Sequence, residues 1–360
     1  MKAYYKKYVL DFKNPSGTSR GIITQKETWF LFIVDENYKT GIGECGLLKT
    51  LSVDDRPDYE EKLQWVCKNI LLGKDEIYNS LTEFPSIQFG VEMAFASYYA
   101  NNSFILFPSL FTQGKDSIYI NGLVWMGTKE FMKAQIQEKI EQNFSCIKLK
   151  IGAISFNEEL YLLNFIRENF SEKQLEIRVD ANGAFSYNNA LEKLIQLSEF
   201  NIHSIEQPIA CKQYLEMQSL CKNSPIPIAL DEELIGIYTI EEKTTLLQKI
   251  NPKYIILKPS LIGGFKGTLE WINIANNLNI GWWITSALES NIGLNAIAQF
   301  TYTLKNNMPQ GLGTGSLYTN NIDSPLQIKN AQLQYNNYLN WNVSNLKISS
   351  KNHKFVNNNL

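Results

Sequence analysis

Apolar and polar positions follow two different rhythms along this chain, and the change falls near residue 115. Before it, residues 4–12 alternate loosely, residues 21–34 are rich in β-branched and aromatic side chains, and residues 39–45 close a meander at GIGEC. This pattern predicts antiparallel strands. Between the first two strands, NPSGTSRG (residues 14–21) reads as a turn-rich loop with one charge, Arg20. Residues 58–72 then read as a helix opened by Pro57-Asp58 and stopped by Gly73. Residues 85–99 form a second, with Val91, Ala94, Phe95 and Tyr98 on one face. Strands followed by helices predict an α+β unit over residues 1–110.

After residue 115, short apolar strands alternate with amphipathic helices. Strands are expected at 118–125, 147–151, 176–179, 202–205, 226–230, 254–257 and 281–285, with a weaker one near 311–315. Helices are expected between them, at 129–142, 157–168, 187–198, 240–248 and 269–278. The repeat is about 27 residues, close to one βα unit of an eight-stranded barrel. An α/β barrel over 115–320 is the architecture this predicts, and a doubly wound open sheet is the competing one. The Asn-rich tail (321–360) carries short β-like pieces and either returns to the first unit or frays.

Composition narrows the function. A net charge of −2 in 360 residues predicts neither a nucleic-acid nor an acidic-membrane partner. No apolar run approaches the roughly 20 residues of a membrane span. The N-terminus has no apolar signal core, so the sequons at Asn101, Asn143 and Asn342 read as chance. The five cysteines are scattered and never spaced C-x-x-C, which fits a reducing cytosol and a cytoplasmic protein rather than a disulfide framework or zinc site. With only His203 and His353 present, proton transfer near neutral pH falls to Lys, Asp, Glu or Tyr.

The chemistry sits at the C-terminal ends of the expected strands. In CIKLKIG, strand alternation puts Lys148 and Lys150 on one face. RVDANG places Arg178, Asp180 and Asn182 together; SIEQP presents Glu206, PIALDEEL presents Asp231, and YIILKPS presents Lys258. In a barrel these ends converge on one mouth. A salt-bridge ring closing the barrel top would use the same residues. Three acids in one space instead suit a hard cation with oxygen ligands such as Mg²⁺. Lysines close to one another and to a dication should have lowered pKa values, freeing one as a base. Alternation excludes Glu232 if Asp231 points inward and leaves Glu233 as a supporting group. Gly263-Gly264 reads as a tight turn. The run TSALESNIGL (residues 285–294) offers a carboxylate-binding corner or ordinary capping by Ser290 or Asn291.

The succession K-x-K, D-A-N, E-Q-P, A-L-D-E, L-K-P resembles the enolase superfamily, in its muconate-lactonising subgroup with lysines on both sides of the site. That resemblance spans roughly residues 1–320. It implies an N-terminal α+β capping domain over a modified TIM barrel, (β/α)₇β. It implies Mg²⁺, with Mn²⁺ as a substitute, on Asp180, Glu206 and Asp231. Lys150 would be the general base, Lys148 its electrostatic neighbour, and Lys258 the stabiliser on the opposite side. Asn182 and Arg178 would support them, Ser290 with its neighbour Ser286 would hold a second substrate carboxylate, and the cap loop with Arg20 would close over it. The partner is then a small-molecule carboxylate. The segments around residues 281–300 point, within the subgroup, to syn-dehydration of 2-succinyl-6-hydroxy-2,4-cyclohexadiene-1-carboxylate. N-acylamino acid racemisation and dipeptide epimerisation are the alternatives; the latter enzymes often carry Asp-x-Asp where this chain reads ITSALES. A non-catalytic binding barrel is a remote alternative. Oligomeric state is not legible.

Overall fold

The computed structural model describes residues 1–18 and 21–346. Strands β1 (Lys2–Thr18), β2 (Gly21–Val34) and β3 (Thr40–Cys45) form an antiparallel sheet in that order. Helices α1 (Tyr59–Lys68), α2 (Lys74–Asn79) and α3 (Pro85–Tyr99) cover it. Trp29, Leu31 and Ile33 alternate along β2 and bury against Leu63, Val66, Ile87 and Val91, a core separate from the barrel's. Close approach at one crossing requires glycine. A Cβ on Gly43 would lie 1.9 Å from the Gly90 carbonyl oxygen of α3.

Two expectations change here. The loop expected over residues 14–21 is largely hairpin, because an irregularity between Asp11 and Ser16 absorbs the turn residues and the β1–β2 ladder resumes as far as Thr18 opposite Gly21. Arg20 lies outside the described residues. The helix expected over 58–72 ends at Lys68, and a separate turn, Ile70–Leu72, leads to Gly73, whose φ of 85° no other residue adopts readily.

The expected strand over 118–125 is also broken in two. Strand β4 (Ser117–Tyr119) leaves the barrel, and only β5 (Gly122–Val124) opens it. The barrel continues with β6 (Cys146–Lys150), β7 (Glu176–Asp180), β8 (Ser204–Glu206), β9 (Ile228–Leu230), β10 (Tyr254–Leu257) and β11 (Gly281–Ile284), all parallel and hydrogen-bonded in sequence order. Its outer layer is α4 (Lys129–Glu141), α5 (Phe156–Arg167), α6 (Tyr187–Ser198), α7 (Tyr214–Asn223), α8 (Ile240–Ile250), α9 (Gly264–Asn277) and α10 (Asn291–Thr303). The weak eighth strand is reduced to bridges, Ile120 with Gln310 and Thr285 with Gly311, which join the barrel's two edges. This is the modified TIM barrel with an antiparallel cap.

Strands β12 (Leu326–Lys329) and β13 (Gln332–Tyr335) form a hairpin whose inner strand pairs with β4. The chain leaving the barrel returns to the cap: Lys13 N donates to Leu317 O, Thr319 N to Asp11 O, and Asn320 Nδ2 to Val9 O. Helix α3 is buried nearly all round because the cap sheet lies on one side and α9 on the other. Among the described residues no helix is long and apolar enough to cross a membrane.

Candidate active site

Strand register builds the site. Lys150 lies opposite Asp180, and Asp180 opposite Glu206, so three charged side chains form one row across β6, β7 and β8. One layer deeper, Lys148 lies opposite Arg178. Asp231 and Lys258 are the residues immediately after β9 and β10. All six predicted metal and lysine positions therefore meet at the C-terminal mouth, as strand ends in a barrel should.

The contacts are close. Lys148 Nζ lies 2.9 Å from Asp180 Oδ2 and also pairs with Glu206. Lys150 Nζ lies 3.0 Å from the same Asp180 oxygen and donates to Asn182 Oδ1 at 2.8 Å. Lys258 donates to Asp231. The three acids are 1–2 % exposed, so each charge depends on its partners. Burial pushes the Asp180 carboxyl up, but Lys148, Lys150 and Lys258 outweigh it and hold the group well below its ordinary range. At Glu206 burial wins, reinforced by Asp180, and the pKa is raised.

Burial also pulls the Lys148 and Lys258 ammonium groups down, yet the carboxylates outweigh it and hold both above their ordinary value. At Lys148 and Lys258 the expected lowering is thus not produced by the protein's own charges. A dication that neutralised the acids would act in the expected direction.

The donor types suit such an ion, but among the described residues no group of three ligating side chains is drawn together around one point; Lys148, Lys150 and Lys258 pair with the acids instead. Asp180, Glu206 and Asp231 offer only carboxylate oxygens on adjacent strands, and among the described residues Glu206 pairs with Lys148 alone. A buried carboxylate with so few donors is costly, and a hard cation would relieve that cost.

Above these groups lies a cavity of about 1040 Å³, lined by Lys148, Lys150, Asn182, Glu232, Lys258 and Ser286 among others. Glu232 corrects the alternation rule. The chain after Asp231 turns into a short 3₁₀ helix, Glu232–Leu234, so Glu232 also faces the mouth and accepts from Asn182 Nδ2 at 2.9 Å. Glu233 instead turns away, accepting from Gln207 Nε2 at 3.0 Å and Lys212 N at 2.7 Å. Lys13, Trp125, Leu288 and Thr314 also line the cavity. None carries a local sequence signal, because distant segments deliver them. Only the triplet Asp231-Glu232-Glu233 contained a clue to Glu232.

Two expected supports lie elsewhere. Arg178 is 1 % exposed and turns toward the barrel floor, where Nε pairs with Glu176 at 2.7 Å, Nη1 donates to Pro309 O at 2.9 Å, and the guanidinium lies 4.2 Å from the Trp283 ring centroid. It shares a face with Asp180 but points away from the mouth, toward the acid that answers its charge. Ser290 is fully buried as N-cap of α10, donating from Oγ to Glu44 Oε2 at 2.5 Å. It therefore joins barrel to cap and does not line the cavity. Ser286 does line it, with Oγ 2.6 Å from Thr314 Oγ1.

Known proteins resemble this chain in sequence and fold. The enolase C-terminal domain-like family matches residues 131–337. The o-succinylbenzoate synthase of Desulfotalea psychrophila is 45 % identical over 359 residues, covering 91 % of this chain and 97 % of that protein. The crystal structure of MenC from Desulfotalea psychrophila LSv54 superposes with a TM-score of 0.82 at 42 % identity, over 93 % of this chain and 99 % of that one. The L-Ala-D/L-Glu epimerase of Bacillus subtilis shares the fold, with a TM-score of 0.80 at 18 % identity over 93 % of this chain and 96 % of that one.

Proposed function

The chain belongs to the o-succinylbenzoate synthases of the enolase superfamily, and from that membership we propose how its residues divide the work. It is a carbon–oxygen lyase: it removes water from 2-succinyl-6-hydroxy-2,4-cyclohexadiene-1-carboxylate to give 2-succinylbenzoate for menaquinone biosynthesis. The observation that supports this assignment is the bracketing of three buried carboxylates by Lys150 from β6 and Lys258 from the end of β10.

Asp180, Glu206 and Asp231 would hold Mg²⁺. When bound, the ion supplies positive charge against which the substrate's ring carboxylate can carry developing negative charge. Lys150 takes the proton α to that carboxylate, breaking the C–H bond. The ammonium it becomes gives the proton to the departing hydroxyl as the neighbouring C–O bond breaks, so water leaves and one residue serves both steps on one face. Asn182 fixes Lys150 through its amide oxygen. Lys148, between Asp180 and Glu206, adds positive charge behind the base. Lys258, on the other side, stabilises the charged ring before it aromatises. Ser286, on the cavity wall, is the remaining candidate for the succinyl carboxylate.

Two lysines on opposite faces would also serve a racemase of N-acylamino acids. The absence of Asp-x-Asp in residues 284–290 speaks against dipeptide epimerisation. The test is loss of cyclohexadiene absorbance with purified protein, with and without Mg²⁺. Silence with that substrate, together with isomerisation of N-acylamino acids, would overturn the dehydratase reading.

A further inference from the structure

The cap sends one lysine into its seam with the barrel. Lys26 of β2 is 3 % exposed, and its Nζ has no hydrogen-bond acceptor among the described residues. Two fully buried carboxylates face it: Glu44 from β3 and Glu289 from the segment after β11. Lys26 and Glu289 meet at Gly46, whose Cβ position lies 3.7 Å from Lys26 Nζ and 3.1 Å from Glu289 Cγ.

Both carboxylates are tied to the barrel. Glu44 accepts from Thr28 Oγ1 at 2.9 Å, Ser290 N at 2.9 Å, Ser290 Oγ at 2.5 Å and Gly293 N at 2.8 Å. Glu289 accepts from Ala287 N at 2.8 Å and from the Ser260 hydroxyl. Together they pin residues 285–290, the stretch that supplies Ser286, Ala287 and Leu288 to the cavity wall. Leu288 needs pinning. Its φ is 63°, and its carbonyl is held by Tyr318 Oη at 2.7 Å. Tyr318, and Tyr59 and Cys45 behind Glu44, are the other titratable groups here, and burial keeps all three neutral. Two buried carboxylates without a cation would repel each other and lose their hydration unanswered.

We propose that Lys26 is a positioning residue for the substrate cavity: it is the cation that faces Glu44 and Glu289, the two carboxylates that hold residues 285–290 in the shape that receives substrate. The role rests on the dehydratase reading only for its kinetic readout.

The experiment compares wild type, Lys26→Met and Lys26→Met/Glu289→Gln in the full chain. Lys26→Met should raise KM about tenfold while kcat stays within about twofold, the signature of lost uniform binding. Its thermal midpoint should fall further at about pH 8 than at about pH 5.5, because a carboxyl stripped of its cation has a raised folded pKa and loses stability as pH rises. The double variant, with one carboxylate removed, should recover both losses. An unchanged KM with an equal midpoint loss at both pH values would mean a merely structural lysine and overturn the proposal, as would a double variant no better than the single. If Lys26→Met does not fold, recovery of folding in the double variant supports the proposal and its absence overturns it. A wild type inactive in dehydration would remove the dehydratase reading and leave the pH-dependent stability comparison standing.

Discussion

Lys150 donates to the amide oxygen of Asn182 at 2.8 Å, closer than its 3.0 Å contact with Asp180. The amide's other end donates to Glu232 at 2.9 Å, which fixes which way the amide faces. Asn182 therefore presents an acceptor to the lysine and cannot flip without losing both bonds. Asn182→Ala should lower kcat by about 10- to 100-fold with little change in KM, as expected when a reacting group is misplaced by a fraction of an ångström. Steady-state kinetics alongside circular dichroism decide it; an unchanged kcat would leave Lys150 positioned by Asp180 alone.

Removing either flanking lysine should stop the reaction. Lys150→Ala and Lys258→Ala are each expected to lose dehydration by about 10²- to 10⁴-fold or more, the range for a positioned proton-transfer or charge-stabilising group. Both should remain folded, as read by circular dichroism in the presence of Mg²⁺. Wild-type turnover in Lys258→Ala would refute the two-sided site.

Metal should be visible in stability as well as in rate. A chelator is expected to abolish turnover, and Mg²⁺ at a hundredfold over its dissociation constant should stabilise the fold by about 2.7 kcal/mol. Asp231→Asn should lose most of that thermal shift, because Asp231 is 2 % exposed and would then offer a neutral amide to the ion. A shift of wild-type size in the variant would move the ion elsewhere.

Glu92 carries a pH dependence of its own. This α3 carboxylate accepts from Phe265 N at 2.6 Å and Lys266 N at 3.2 Å at the start of α9, joining cap to barrel. Burial outweighs those donors and raises its pKa to about 7. With a raised folded pKa, its stability contribution is present below the unfolded value and lost as pH rises toward 7 and beyond, by an amount on the order of 3 kcal/mol. Glu92→Gln should lack this loss, so its thermal midpoint should gain on wild type between about pH 5 and pH 8. Parallel midpoint curves would show the carboxylate stays charged throughout.

The β3–α3 crossing should tolerate no side chain. Gly43→Ala puts a carbon 1.9 Å from a helix carbonyl, and neither backbone can yield without moving the cap sheet. About 1–3 kcal/mol or more should be lost, read as a lowered thermal midpoint. Gly73→Ala, with open space around its Cβ position, is the control for backbone conformation alone.

Much of the site was legible because strand alternation is local. Lys148 and Lys150, and the ends carrying Asp180, Glu206, Asp231 and Lys258, are readable from short apolar runs that stop at a charge. Alternation failed where the chain stopped being a strand. After Asp231 it coils into a 3₁₀ turn and brings Glu232 to the mouth with its neighbour. It also could not tell up from down along one face. Asp180 and Arg178 share a face, but Arg178 reaches toward Glu176 at the floor.

The sequence by itself determined the order of βα units, the identity of the charged ring and the character of the cap, since each depends on residues within a few positions of one another. Tertiary structure alone decided what Ser290 and Lys26 do, which segments wall the cavity, and how the barrel joins its edges through Gln310 and Gly311. Those outcomes depend on pairs far apart in the chain, such as Ser290 with Glu44, and a buried charge takes its meaning from whichever distant partner packing brings within reach.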